Sequence, residues 1–222
     1  MLANGLALVI DGALATLGSA PARRYRQALV LGSLREDVAR VPGGAGVFEH
    51  LSFSHFGGGW LPGGYLPLLW PGPRFKVARY FRRALALARD GRRAAAFVTL
   101  GRACHVLTDM ACPVHVHRVI HEADPFEWYV EVHAGELGAA ASAPVPLDAP
   151  SPAALVASLA AVTRACAPDR TRNALGRLLR RLGLRRPVPR REIRRQAREL
   201  IPQAAAHVAA LIALFLRESA CT

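Results

Sequence analysis

Residues 101–115, GRACHVLTDMACPVH, decide how this chain is read. His105 and Asp109 are four apart, so on a helix their side chains share one face, a turn apart. Pro113 follows, where a helix is kinked or ended, and His115 comes just after it. A further acidic residue, Glu127, stands on the next helical stretch. Imidazole and carboxylate together are ligands for zinc and other borderline divalent metals. A metal held there turns water into a nucleophile near neutral pH.

Working outward, the pattern is helical. Residues 3–18 form a first helix closed by Gly18 and Pro21, and a second runs from about Ala22 to Val30. Residues 31–72 are crowded with glycine and proline and read as one long irregular loop. Structureless loops beyond about a dozen residues are usually functional or disordered, and since this one carries Asp37, His50, His55, Trp60 and Trp70 it reads as an ordered active-site loop. Pro73 opens a helix that Asp90-Gly91 breaks, and the helix from about Arg92 to Met110 delivers His105 and Asp109. A polar loop with His115, His117 and His121 comes next. Asp124 and Pro125 cap a helix to about Gly138, and Ser151-Pro152 cap another to about Ala165. Short helical stretches cover 170–184, and a long final helix runs from about Arg190 to Arg217. No strand pattern, repeat or linker interrupts the series, so residues 1–222 are expected to form a single all-α domain with a long ligand-bearing loop.

The composition excludes disorder: of 222 residues, 52% are hydrophobic and 20% charged. Lysine and arginine outnumber aspartate and glutamate 29 to 16, and Lys76 is the sole lysine. The net charge of +13 favours anionic partners such as phosphate esters, acidic lipid surfaces or nucleic acid. Thirteen of the arginines crowd the segment from Arg164 to Arg198, which reads as a solvated face or as a patch for an anionic membrane surface. That segment lacks interleaved aromatic residues, which disfavours a dedicated single-strand binder. The four cysteines form no C-x-x-C pair, and Cys104 and Cys112 read as small buried apolar residues. No stretch reaches the length of an uncharged membrane span, and the last helix is expected to be apolar for only three to four turns.

These residues carry a resemblance. The run from His105 to His115 resembles the signature H-x-x-x-D-x-x-x-P-x-H of the zinc-dependent phospholipase C and single-strand-specific nuclease superfamily. DPFEWYVE, residues 124–131, resembles the segment that carries an acidic ligand on the following helix, here Glu127. GSLREDV and SHF resemble the upstream loop that supplies an Asp and a His, here Asp37 and His55. The resemblance implies a phospholipase C-type helical fold around a zinc cluster and phosphodiester hydrolysis by metal-bound hydroxide. One zinc would take Asp37, His55, His105 and Asp109, with Asp37 also serving as base or orienting the water. A second would take His115, Glu127 and a further histidine, assigned to His121, with His117 and His133 as alternatives.

The chain also departs from the family. Ala123 stands where a histidine is common. An N-terminal Trp and a first-helix His serve a third zinc in the family, where this chain has Met1 and, near the matching place, Leu6. Two zinc ions are therefore expected, with the third site incomplete. The expected activity is a phospholipase C-like hydrolase acting on phospholipid or another phosphodiester. The alternatives are a catalytically weakened metal-binding module of the same fold and a single-strand nuclease. The compartment stays open: the resemblance favours export, whereas the first helix lacks a basic start and carries Asp11 in its middle.

Overall fold

The computed structural model describes residues 1–36, 38–40, 46–48, 72–119, 121, 124–141 and 150–220, with backbone alone at 38–40, 46–48, 139–141 and 220. α1 (Ala3–Leu17) ends at Gly18, whose φ of 62° lets its N–H reach the carbonyl of Leu14. Ser19 caps α2 (Ala20–Arg24), which leads into α3 (Arg26–Arg35). The helix thus runs five residues beyond the expected end at Val30. Gly32, expected in the loop, lies in α3 and serves a close helix contact, a tertiary demand that a local turn signal does not reveal.

Two three-residue strands, β1 (Val38–Arg40) and β2 (Gly46–Phe48), pair antiparallel where no strand was expected. They are too short to show an alternating pattern in sequence. α4 (Pro73–Arg89) and α5 (Arg93–Asp109) form a helical hairpin through Gly91, as Pro73 and Asp90-Gly91 foretold. α6 (Pro113–Val116) is a single turn begun by Pro113. α7 (Pro125–Val132) and α8 (Ala134–Ala141) replace the one helix expected from Asp124 to Gly138, with a break at His133. α9 (Pro152–Thr163) is capped by Ser151, and α10 (Ala174–Arg181) by Asn173. α11 (Arg190–Ala220) completes the chain.

The buried apolar side chains form one continuous cluster from Met1 to Phe215. Tyr25 stacks on Phe97 at 4.4 Å, and Phe97 and Phe81 meet Phe215 edge-on at 5.3 and 6.3 Å. These contacts join the start of α3 to α4, α5 and α11. α11 corrects one expectation: by length and composition its apolar stretch is long enough to cross a membrane. In the fold, 67% of that window is buried against the other helices, as in the core helix of a packed domain.

Candidate metal centre

α5 supplies the first pair. His105 Nε2 lies 3.3 Å from Asp109 Oδ2, and both side chains are fully buried. Their position depends on how closely α5 passes α3. A Cβ on Gly101 would sit 2.1 Å from the Leu29 carbonyl oxygen, and one on Gly32 would sit 1.9 Å from that of Val98. Glycine at both points lets the two backbones touch. The approach brings the Ser33 carbonyl to 2.9 Å from His105 Nδ1. A carbonyl only accepts, so Nδ1 carries the proton, and Nε2 is the nitrogen turned to the site.

α6 and α7 supply the second group. Pro113 turns the chain so that His115 is buried with its Nε2 3.3 Å from Glu127 Oε1. Asp124 caps α7 by accepting the Glu127 N–H at 3.2 Å, which fixes the first turn of that helix. His121 Nε2 lies 3.7 Å from Glu127 Oε2, and its ring meets that of His115 edge-on at 5.1 Å. His121 Nδ1 is held by the Val119 carbonyl at 3.0 Å, again with Nε2 turned inward.

The two competing histidines are engaged elsewhere. His117 Nε2 donates to the Cys166 carbonyl at 2.9 Å. His133 stacks on Tyr129 at 4.1 Å and its Nδ1 donates to the Tyr129 carbonyl. Asp37 and His55 lie outside the described residues. Glu36, the residue after α3, is fully buried and pins the end of that helix: Lys76 Nζ lies at 2.5 Å, Arg102 Nε at 2.6 Å and the Tyr80 hydroxyl at 3.1 Å. The chain's one lysine is thus spent on this anchor.

Three participants escape a sequence reading. The amine of Met1 reaches both Asp109 Oδ1 and Glu127 Oε1 at 2.8 Å. An ammonium between two buried carboxylates marks a place where positive charge is stabilised. Cys112 offers its sulfur within 4.8 Å of the ligand atoms of His115 and Glu127, and donates to Asp124 Oδ2 at 3.5 Å. The sequence carries one signal for it, the C-x-x-H spacing of Cys112 and His115. Asp124 itself adds a buried carboxyl beside Asp109 and Glu127.

The charges are set by burial against neighbours. Burial pushes the Asp109 carboxyl upward, but the Met1 amine, His105 and His115 outweigh it and hold the group well below its usual range. Glu127 is held down in the same way, by the Met1 amine, His115 and His121 against burial. Burial, with the charge of Glu127, raises Asp124 to about 6. Burial, with Asp124 and Glu127, raises the Cys112 thiol well above its usual range.

The donor set fits zinc. It offers imidazole nitrogens, carboxylate oxygens and one sulfur, backbone carbonyls orient His105 and His121, and the carboxylates of Asp109 and Glu127 share the Met1 amine.

No family model matches the sequence, and no curated protein matches it at the sequence level. Among solved structures, the fold is similar to the alpha-toxin of Clostridium perfringens avian strain SWCP, with a TM-score of 0.69 at 14% identity. The match covers 97% of this chain and 63% of that one. The alpha toxin of Clostridium absonum is similar at a TM-score of 0.67 and 15% identity, over 97% of this chain and 64% of the toxin. The chain therefore spans less than two thirds of either toxin's length. By its tertiary structure, this is an all-α protein of the phospholipase C-like fold, in which Cys112, His115 and Glu127 form a buried group that could hold a metal ion.

Proposed function

We propose that the chain is a zinc-dependent phosphodiester hydrolase of phospholipase C type. The observation that supports this reading is two adjoining sets of donors, His105 with Asp109 and His115 with His121 and Glu127, whose carboxylates Asp109 and Glu127 meet at the Met1 amine; all but the half-buried His121 are buried. His105 and Asp109 would hold one zinc, completed by Asp37 and His55 as the sequence resemblance implies. His115, His121 and Glu127 would hold a second, with Cys112 as a further donor. Bound zinc supplies Lewis acidity toward a phosphoryl oxygen and lowers the pKa of water.

The protein's own part is to fix donors and exclude bulk solvent. The Ser33 and Val119 carbonyls set which nitrogen of His105 and His121 points inward. Asp109 and Glu127 stay ionised at neutral pH, so both are ready acceptors for a cation. The reading is tested by elemental analysis of the purified protein together with turnover of phosphatidylcholine and of denatured DNA. Zinc with lecithin hydrolysis supports it. Zinc with hydrolysis of DNA alone reassigns the substrate to single-stranded nucleic acid.

One observation favours a second reading, a metal-binding module without turnover. Leu6, near the place of the family's first-helix histidine, is an apolar core residue. Zinc retention with no hydrolysis of either substrate would establish that reading.

A further inference from the structure

The segment from Asp169 to Val188 is an excursion tied at its base. Asp169 Oδ1 accepts the Thr171 N–H at 2.7 Å and the Thr171 hydroxyl at 2.6 Å, and Oδ2 accepts the Val188 N–H at 3.3 Å. Arg185 closes the same loop by donating to the Arg170 carbonyl at 3.2 Å. Within it, α10 lies directly on backbone: a Cβ on Gly176 would sit 1.9 Å from the Arg170 oxygen. The helix is therefore seated, yet its apolar side is not covered by the described residues. Leu175, Leu178 and Leu182, at i, i+3 and i+7, are 62%, 53% and 61% exposed, and Leu184 beyond the helix is 73% exposed. Such a stripe normally faces a core. Arg177, Arg180 and Arg181 occupy the other side of the same helix and are also exposed.

Charge decides what fits this face. Residues 170–190 contain eight arginines and no acidic residue. A second copy would bring like charges together, whereas an anionic surface would not. A nucleic-acid backbone suits the arginines but has no use for a row of aliphatic side chains. A basic helix with an exposed leucine stripe suits the interface of an acidic bilayer, with leucines in the acyl boundary and guanidiniums at the phosphates. Beside it a cleft of about 700 Å³ lies between α7 and the excursion. Its lining sets Arg172, Arg180 and Arg190 beside Trp128 and Tyr129; of the two carboxyls that also line it, Asp169 accepts from Thr171 and Val188 and Asp124 from Glu127 N–H, which leaves the arginines to meet an anionic headgroup.

We infer that α10 is a membrane-docking helix that inserts its leucine stripe into anionic phospholipid bilayers and draws a headgroup into the adjoining cleft. The cleft lies on the side of α7 away from the Glu127 carboxylate and shares Asp124, the cap of α7, with the candidate metal centre, whereas the leucine stripe of α10 does not line that cleft. The test is flotation of the full chain, in chelator, with vesicles of phosphatidylcholine alone or mixed equally with phosphatidylglycerol. Binding to the mixed vesicles and weak binding to the neutral ones is expected. Leu178→Glu with Leu182→Glu should lower the partition at least about tenfold. Arg177→Gln, Arg180→Gln and Arg181→Gln together should lower it by about a hundredfold and flatten its salt dependence. In the metal-loaded protein, the leucine variant should retain whatever turnover of a soluble phosphodiester the parent shows, and it should melt as the parent does. Equal vesicle binding by parent and leucine variant overturns the inference. So does a parent that binds single-stranded DNA but no vesicle, or a leucine variant whose only change is from dimer to monomer. A parent without hydrolase activity that still floats with acidic vesicles sinks the catalytic reading and leaves this one standing.

Discussion

Glu36→Gln removes the carboxylate that holds Lys76 and Arg102 while keeping the shape of the side chain. Its two oxygens receive Lys76 at 2.5 Å and Arg102 at 2.6 Å, and Tyr80 adds a hydroxyl at 3.1 Å. Hydrogen bonds to a charged group contribute about 1.5–3 kcal/mol each, and breaking a buried ion pair by removing one partner costs about 3–5 kcal/mol. Lys76 is buried, so its charge would lose its partner out of water; the Arg102 side chain is 33% exposed and regains hydration. The screened Arg102 contact deserves little weight, which leaves about 3 kcal/mol. For a chain of this size about 3 kcal/mol lowers Tm by about 10 °C. Thermal unfolding followed by circular dichroism reads that shift directly. The double variant Glu36→Gln with Lys76→Met removes the stranded ammonium and should melt higher than Glu36→Gln alone. A fall in Tm of under about 2 °C, or a double variant that melts lower still, would refute the reasoning.

Other outcomes follow from the site and its supports. Asp109→Asn should remove metal and activity together, and a variant with full zinc content would count against the assignment. Cobalt-loaded protein should show a sulfur-to-metal charge-transfer band in the near ultraviolet that Cys112→Ser abolishes; a band unchanged in the variant excludes this thiolate as a donor. Gly101→Ala puts a methyl group 2.1 Å from the Leu29 oxygen, so α3 and α5 must part. It should cost about 2 kcal/mol or more in a denaturant titration. Zinc affinity should fall by about 10–100-fold as Ser33 loses its hold on His105. Burial lowers the His207 pKa below its ordinary value. The unfolded chain then binds the proton more readily, and stability should fall as pH drops through about 6.5 toward the lower folded value. His207→Gln should flatten that part of the stability–pH curve, and an unchanged slope would assign it to other groups.

Part of the candidate site's geometry is legible in the sequence because local spacing enforces it. His105 and Asp109 share a face of α5 by helical period alone, and Pro113 sets the turn before His115. Asp124 and Ser151 announce their helices as caps whatever surrounds them. Tertiary packing alone decided the rest. Among three candidate histidines, only His121 reaches Glu127, since His117 is drawn to Cys166 and His133 to Tyr129. Met1 and Glu127 are far apart in the chain, and no local rule pairs their charges. The leucines of α10 show a helical stripe in sequence, yet that pattern cannot tell a face turned to the core from one turned to solvent. Periodicity fixes which residues share a side; which side is buried depends on contacts between distant elements, such as the glycine-to-backbone crossing of α3 and α5.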